Sequence, residues 1–252
     1  MRLCVPIPCF FGQMDFAEAI RRVRAIGFDA AETYNWKELD AESVRRACAE
    51  NGVELLSMCT TEFRMTDEAF RSAWLDDLRE SCAAARALGV KRLITQVGPD
   101  TGAPREKQHE NIVETLRQAA AILEDSGVTV MLEPLNTFVD HKGYYLWSAV
   151  EGVEIIREVN HPLVKMVFDI YHQQIMEGNI IPNITGNLDC IAHLHAAGHP
   201  GRNELQFSEN DYNVIFAAVD RAGYTGACGL EYTPLMPPEE SLAEALRRYG
   251  SR

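Results

Sequence analysis

The segment Ala87-Leu-Gly89-Val-Lys-Arg-Leu-Ile94 joins the end of a helix, a glycine and a short apolar run, and this unit decides the fold. A glycine just past a helix takes the left-handed conformation that closes the last helical turn. The apolar run after the glycine is short, as is typical of a strand buried on both faces. The segment therefore predicts a helix that leads directly into a buried strand.

The same unit recurs along the chain. Further copies are Ala25–Glu32, Glu50–Ser57, Asp125–Leu132 and Arg221–Cys228. With the other apolar runs, the pattern predicts strands near residues 3–7, 29–33, 53–58, 91–97, 128–132, 164–168, 191–196 and 227–231. Strands that alternate with helices imply a parallel sheet with right-handed crossovers. Eight units in 252 residues favour a closed (β/α)8 TIM barrel, which takes about 250 residues, over an open doubly wound sheet.

The segments between the predicted strands have helical spacing of their apolar residues. These helical faces comprise Phe16, Ala19, Ile20, Val23 and Ile26; Val113, Leu116, Ala120 and Leu123; and Tyr212, Ile215, Phe216 and Val219. Asp15 is the expected N-cap of the first of these helices. Because no linker or low-complexity segment interrupts the pattern, we expect one barrel domain over residues 1–252.

Composition argues against several classes of protein. The formal net charge is −13. Proteins that bind nucleic acids usually carry a basic surface, so this charge argues against that class. No apolar run reaches the roughly 18 residues of a membrane span, and no glycine-rich nucleotide motif follows a predicted strand. The first residues do not resemble a signal peptide, so we expect the cytoplasm. The seven cysteines form no CxxC pair, which predicts reduced thiols.

Metal-binding side chains stand at the ends of four consecutive predicted strands. They are Glu133 after strand five, Asp169 after strand six, His195 on strand seven and Glu231 after strand eight. Active sites of such barrels lie at the carboxyl ends of the strands, so we expect these side chains to meet at one rim. Three converging carboxylates repel one another, and a divalent cation relieves that repulsion. The oxygen-rich set favours Mg²⁺ or Mn²⁺ and leaves Co²⁺ and Zn²⁺ open.

Each of these residues also has a purely structural explanation. A carboxylate at a strand end can cap the next helix, and a single strand histidine is more often a hydrogen-bonded core residue than a ligand. The metal prediction rests on all four occurring together, because buried charged groups need partners. Arg202, in the loop after strand seven, offers a fixed fork of donors for substrate oxygens, or is a surface arginine.

The stretch from Leu132 to Pro234 resembles the hydroxypyruvate isomerase branch of the xylose isomerase-like sugar isomerase/epimerase barrels. The motifs that carry the resemblance are Leu132-Glu-Pro-Leu-Asn-Thr137, Val139-Asp-His141, Phe168-Asp-Ile-Tyr-His172, Gln174-Ile-Met-Glu-Gly178, Pro200-Gly-Arg202 and Glu231-Tyr232. In the N-terminal half the resemblance lies mainly in the rhythm of the repeat.

The resemblance implies a metal-dependent isomerase that interconverts a small hydroxy-aldehyde and hydroxy-ketone through an enediolate, with one divalent ion per chain. The implied metal ligands are Glu133, Asp169, His195 and Glu231. Glu133 and Glu231 would also be the acid–base pair, and His172 and Arg202 would contact the substrate. A homo-oligomer is implied as well.

Two positions depart from the hydroxypyruvate isomerase pattern. His195 stands where those enzymes carry glutamine and resembles the ketose 3-epimerases, and Thr233 stands where they tend to carry a basic residue. A ketose 3-epimerase and a metal-dependent lyase or dehydratase therefore remain alternatives, because both start with the same proton abstraction. The acidic charge opposes a hydrolytic nuclease, and the intact pair of glutamates opposes a non-catalytic sugar-binding barrel.

Overall fold

The computed structural model describes residues 1–250, in which eight parallel strands close into a barrel. The strands are β1 (Arg2–Pro6), β2 (Ala30–Glu32), β3 (Glu54–Cys59), β4 (Arg92–Thr95), β5 (Thr129–Leu132), β6 (Val164–Asp169), β7 (Ile191–Ala196) and β8 (Ala227–Leu230). Each strand pairs with the next one along the chain, and β8 pairs with β1 to close the ring. The predicted (β/α)8 barrel is confirmed.

All eight predicted strands are present, and their bounds differ from the prediction by at most two residues. The largest difference is at the end of β4, which stops at Thr95 instead of residue 97. There the backbone amide of Val97 donates to the Tyr144 hydroxyl at 2.8 Å, so it is not available to a neighbouring strand. Ile7, predicted as the end of the first strand, begins a short helix in which proline occupies the first turn.

Helices cover the outside of the barrel. They are α1 (Ile7–Phe11), α2 (Phe16–Ile26), α3 (Ala41–Asn51), α4 (Arg71–Leu88), α5 (Arg105–Gln118), α6 (Ala120–Ser126), α7 (Ala149–Val159), α8 (Ile170–Met176), α9 (Ile180–Thr185), α10 (Tyr212–Arg221) and α11 (Pro238–Tyr249). Two short 3-10 helices lie at Glu68–Phe70 and Leu205–Phe207. The five glycines of the repeated unit, Gly27, Gly52, Gly89, Gly127 and Gly223, all have positive φ, as predicted.

The predicted helical faces are buried or half-buried, and the bounds of one predicted helix need correction. The Asp15 side chain accepts a hydrogen bond from the Glu18 amide, which confirms it as the N-cap of α2. The single helix expected from Val113 to Leu123 is divided at Ala119 into α5 and α6. After this break Ala120 is half-buried, although the other three residues of that face are buried.

The barrel interior is built from alternate residues of each strand, because residues i and i+2 face the same side of a sheet. Small and medium apolar side chains fill its amino-terminal and middle parts, in two clusters. These clusters are Cys4, Ala30, Leu56 and Ala227, and Ile94, Met131 and Val167. The next inward positions along the strands are therefore those that reach the carboxyl end.

Two predictions from composition can be compared with the described residues. All seven cysteines are free, as expected for reduced thiols. No helix within residues 1–250 is both long enough and apolar enough to span a membrane.

Candidate active site

The alternation of side chains along the strands delivers the predicted site residues to one place. Glu133 lies two residues after the inward-facing Met131, and Asp169 lies two residues after Val167. Asp169 and His195 are register partners on β6 and β7. His195 in turn pairs with Gly229 on β8, two residues before Glu231. The strand ends therefore set these four side chains at the same level around the ring.

A cavity of about 570 Å³ opens at this end of the barrel. Five of the six residues predicted for the site line it: Glu133, His172, His195, Arg202 and Glu231. The sixth, Asp169, is buried behind them with 1% of its surface exposed. The structure thus brings all six predicted residues together, and we call Glu133, Asp169, His195 and Glu231 the mouth cluster.

Three carboxylates of the mouth cluster lie close enough to share an ion. Glu133, Asp169 and Glu231, together with His172, each offer a ligand atom within 4.8 Å of the others. His195 stands beside the same group, with Nδ1 at 3.2 Å from Glu133 Oε1 and 3.5 Å from Glu231 Oε2. Two histidines therefore compete for the place of the nitrogen ligand.

Asp169 uses its two oxygens differently. Oδ1 accepts hydrogen bonds from the amides of Tyr171 at 2.7 Å and His172 at 3.4 Å, and so caps α8. Oδ2 is buried and has no hydrogen-bond partner among residues 1–250. Burial and the negative charge of Glu231 raise the pKa of Asp169 to about 7. A buried carboxylate oxygen without a partner fits a site that receives a cation.

Glu231 is held by two side chains from other loops. Tyr34 Oη donates to its Oε1 at 2.7 Å, and Arg202 Nη2 donates to its Oε2 at 2.7 Å. Burial pushes the pKa of Glu231 upward, but the charges of His195 and Arg202 outweigh burial and keep that pKa below its usual range. Glu231 is therefore an ionised carboxylate with fixed geometry.

The protonation of His172 follows from the amide of Asn136. The Asn136 Oδ1 accepts from the amides of Val139 and Asp140, both at 3.0 Å, which turns its Nδ2 toward His172. His172 Nδ1 accepts from this Nδ2 at 2.7 Å and from the Asn136 amide at 3.2 Å. Burial and the charge of Arg202 lower the pKa of His172 to about 3, so the ring is neutral. Its hydrogen then sits on Nε2, which is a donor and not a metal ligand.

Arg202 is positioned by an unusual backbone. It has a φ of 54° in the loop closed by Gly198 and Asn203, and its carbonyl accepts from the Thr233 amide at 2.9 Å. Its guanidinium carbon lies 5.1 Å from the centre of the Tyr171 ring. This conformation turns the cation into the cavity, where 26% of the side chain is exposed.

Sequence reasoning missed two residues that contact the mouth cluster. Tyr34 donates to Glu231, and nothing in the sequence around it separates it from aromatic residues that only pack. Glu32 Oε2 lies 3.0 Å from His195 Nε2. Glu32 is the last residue of β2, so the strand-end rule that selected the other carboxylates was a sufficient signal for it.

Named isomerases are similar in sequence to this chain. Hydroxypyruvate isomerase from Escherichia coli is 29% identical over 251 residues, which are 96% of this chain and 97% of that protein. 2-Oxo-tetronate isomerase from Cupriavidus necator is 37% identical over 151 residues, 60% of this chain and 58% of that protein. These relatives agree with the resemblance seen in the sequence motifs.

Solved structures and family models agree with the barrel. The crystal structure described as AP endonuclease, family 2, from Brucella melitensis matches with a TM-score of 0.92 and 26% identity, covering 99% of this chain and 100% of that one. The family model for the xylose isomerase-like TIM barrel matches residues 20–251. The chain therefore belongs to the xylose isomerase-like TIM-barrel family.

Proposed function

We propose that this protein is a metal-dependent isomerase that interconverts a small hydroxy-aldehyde and hydroxy-ketone by proton transfer through an enediolate. The observation that carries the proposal is the mouth cluster, in which two buried carboxylates and one half-buried carboxylate converge and Asp169 Oδ2 has no hydrogen-bond partner. The relatives are named for hydroxypyruvate and 2-oxo-tetronate, both hydroxylated 2-oxo acids. They support a substrate of this kind.

One divalent ion per chain completes the proposed site. Its ligands would be Glu133, Asp169, His195 and Glu231. His172 is the weaker candidate for the nitrogen ligand, because its Nδ1 accepts two hydrogen bonds and its Nε2 carries the hydrogen. A bound divalent ion polarises the substrate carbonyl and stabilises negative charge on its oxygen. The oxygen-rich set favours Mg²⁺ or Mn²⁺, with Co²⁺ and Zn²⁺ as alternatives.

Glu133 and Glu231 are the proposed acid–base pair. One carboxylate accepts the proton from the carbon next to the carbonyl, and the C–H electron pair becomes the double bond of an enediolate. Return of a proton to the former carbonyl carbon, with transfer of the hydroxyl proton to the other oxygen, completes the isomerisation. Glu231 suits the role of base because Arg202 and Tyr34 hold it ionised and oriented. Glu133 Oε1 lies 3.2 Å from His195 Nδ1, the atom that Glu231 also approaches, and would serve the second carbon.

His172 and Arg202 are the proposed substrate contacts. His172 Nε2–H is a donor at the cavity wall, 3.5 Å from Arg202 Nη2. Arg202 uses Nη2 for Glu231, and a guanidinium has five N–H donors, so donors remain for substrate oxygens. Neither side chain belongs to the proposed ligand set, so both would orient a substrate without holding the ion.

Lys37 provides the cationic anchor that a carboxylate substrate needs. Two cationic side chains line the cavity, those of Arg202 and Lys37. Arg202 is neutralised by Glu231, whereas Lys37 is exposed and forms no ion pair within residues 1–250. Thr233 leaves the position after Glu231-Tyr232 without a charge. Lys37 would supply that charge from the segment after β2, which only β1 separates from β8 in the ring. We therefore favour a 2-oxo acid as the substrate.

Epimerisation of a ketose is the second candidate. A cavity of about 570 Å³ is large for a three-carbon acid, since sites of about 300–1,000 Å³ commonly hold drug-sized ligands. His195 also resembles the ketose 3-epimerases. In that reaction the enediolate forms in the same way, and the proton returns to the same carbon on the opposite face.

A screen of hydroxylated 2-oxo acids and ketoses in D₂O, with metal analysis of protein purified without chelator, tests these proposals. We expect one ion per chain, and deuterium at the neighbouring carbon of the product. Inversion at carbon 3, with deuterium incorporated there from the solvent, would indicate epimerisation instead of isomerisation. Exchange followed by loss of a leaving group would indicate a lyase or dehydratase. Turnover that is unaffected by chelator in an ion-free protein would contradict the metal centre.

A further inference from the structure

Glu32 is a carboxylate buried inside the barrel, directly beneath the mouth cluster. None of its surface is exposed, and within residues 1–250 no lysine or arginine pairs with it. Buried carboxylates are rare unless they are partnered. Its partners are one thiol and two imidazoles, from Cys4, His193 and His195. We call Cys4, Glu32 and His193 the lower cluster.

The hydrogen bonds of Glu32 determine where its neighbours carry their hydrogens. Its Oε1 lies 2.6 Å from Cys4 Sγ and 2.8 Å from His193 Nε2, and its Oε2 lies 3.0 Å from His195 Nε2. An ionised carboxylate only accepts hydrogen bonds, so each of these three atoms must donate. The hydrogen of His195 that faces Glu32 is therefore on Nε2.

The consequence for His195 lies at its other nitrogen. Nδ1 points away from Glu32 into the mouth cluster, at 3.2 Å from Glu133 Oε1. An imidazole that binds a metal ion is neutral, with one donor nitrogen and one acceptor nitrogen. With the hydrogen kept on Nε2, the lone pair available to an ion is on Nδ1. The lower cluster and the mouth cluster thus share one ring, with one nitrogen each.

The backbone between these side chains is built to allow the contact. Glu32 on β2 and His195 on β7 are separated in the ring by β1 and β8. At the level of His195, β8 presents Gly229, which pairs with Cys4 on β1. A Cβ at position 229 would lie 2.7 Å from Glu32 Oε1 and 2.8 Å from His195 Cδ2. The absence of a side chain at Gly229 leaves the space in which the carboxylate meets the imidazole.

The lower cluster also offers three atoms within 4.8 Å that could hold an ion of its own. Two observations favour the hydrogen-bonded arrangement. Each partner is already at hydrogen-bond distance from Glu32, at 2.6 and 2.8 Å. The cavity at the barrel mouth is lined by Glu133, His195 and Glu231 and not by Cys4, Glu32 or His193, so an ion in the cavity meets the mouth cluster first.

We propose that Glu32 is a positioning residue, which holds His195 with its hydrogen on Nε2 and so presents Nδ1 to the ion of the mouth cluster. The proposal rests on the proposed function only in requiring that an ion binds there. Carboxylates that accept from the second nitrogen of a metal-binding histidine commonly contribute about 10–100-fold to metal affinity.

The wild-type protein tests the tautomer directly. In the Zn²⁺-loaded, ¹⁵N-labelled protein, long-range ¹H–¹⁵N correlation of the histidine rings should give His195 a protonated Nε2 and a metal-bound Nδ1. The His195→Asn variant assigns the signals by their loss. Coordination through Nε2 would overturn the role of Glu32 while leaving the proposed metal centre intact. A wild-type protein that binds no divalent ion would remove the metal centre itself, and the role of Glu32 with it.

Three variants test the effect on affinity, measured by Co²⁺ titration of the visible spectrum. In Glu32→Gln one amide oxygen replaces two carboxylate oxygens, and in Gly229→Ala the new methyl group enters the contact. Both should weaken Co²⁺ binding by about 10–100-fold, and the His195 ring should lose its single tautomer. Cys4→Ala removes a donor to Glu32 without touching His195, and its affinity and tautomer should match wild type.

Circular dichroism of the same samples establishes that each variant is folded. A folded Glu32→Gln protein with wild-type affinity and an unchanged His195 tautomer would overturn the proposal. So would two Co²⁺ ions per wild-type chain with Cys4 among the ligands, because the lower cluster would then be a second metal site.

Discussion

The lower cluster and the mouth cluster contain the same kinds of side chain within one barrel, yet their hydrogen bonding differs. In the lower cluster a single carboxylate, Glu32, has three donors for its two oxygens. In the mouth cluster three carboxylates converge, and Asp169 Oδ2 has no hydrogen-bond partner among residues 1–250. A buried group that is fully satisfied stabilises the fold. The group left unsatisfied indicates where the molecule receives a ligand.

Replacing a mouth glutamate should have the largest effect, on turnover. Glu133→Gln and Glu231→Gln keep the size and an oxygen donor but cannot accept the proton. Turnover should fall by at least about a hundredfold, the low end for general acid–base catalysis. Substrate-proton exchange in D₂O, measured per folded and metal-loaded molecule, checks this.

The lower cluster supplies the matched control for that experiment. Cys4→Ala lies in the same barrel and should exchange the substrate proton at the wild-type rate. A Glu133→Gln or Glu231→Gln protein that holds metal and still exchanges at that rate would show the tested glutamate to be a ligand only.

A change in the lower cluster should instead act on stability. His193→Phe removes one donor to the buried carboxylate of Glu32, which costs about 2 kcal/mol for a hydrogen bond to a charged group. Thermal denaturation should show a melting temperature about 4–8 °C lower. His193→Gln places an amide nitrogen near the former Nε2 and should recover most of the loss. Equal melting temperatures for Phe and wild type would remove the distinction between the clusters.

Lys37 extends the comparison outward, because the lower cluster has no such unpaired cation. If the substrate carries a carboxylate, Lys37→Met should raise KM about tenfold, equivalent to about 1.4 kcal/mol, and leave kcat nearly unchanged. Steady-state kinetics on a 2-oxo acid measures both. Lys91→Met, an exposed lysine before β4 and outside the cavity lining, is the control. An unchanged KM would contradict the role of Lys37 and favour an uncharged ketose as the substrate.

Asp169→Asn should give the smallest effect, and in the direction opposite to His193→Phe. The asparagine Oδ1 can keep the cap on α8, while the unpartnered charge disappears. The metal-free protein should therefore gain about 1 kcal/mol, a common gain when a strained functional site is relieved, or about 2–4 °C in melting temperature. Calorimetry of the chelator-treated proteins measures it. A lower melting temperature in Asp169→Asn would mean that Oδ2 is not the strained atom.

The strands and the inward residues could be predicted because both follow from local pattern. Each helix–glycine–strand unit is contained in a few residues, and alternation then assigns Glu133 and Glu231 to the interior. The division of the helix at Ala119 had no such signal, because neither glycine nor proline stands there.

The contacts that assign roles within the site could not be predicted in the same way. The Glu32–His195 contact joins residues 163 positions apart on strands that are not neighbours in the ring. The tautomer of His172 depends on how the loop around Asn136 orients one amide. Asp169 shows that the two explanations given for a strand-end carboxylate were not exclusive, because one oxygen caps a helix and the other remains free.

Asp169 caps α8 with one oxygen and faces the mouth cluster with the other, so binding of an ion should affect the local stability of α8. The amides of Tyr171 and His172 depend on Oδ1 of the same carboxylate whose Oδ2 faces the mouth cluster. A ligand that binds only the closed helix stabilises it by an amount set by its concentration relative to its Kd. Loading the site would therefore slow amide hydrogen exchange in this seven-residue helix, making its opening a reporter of what the barrel mouth holds.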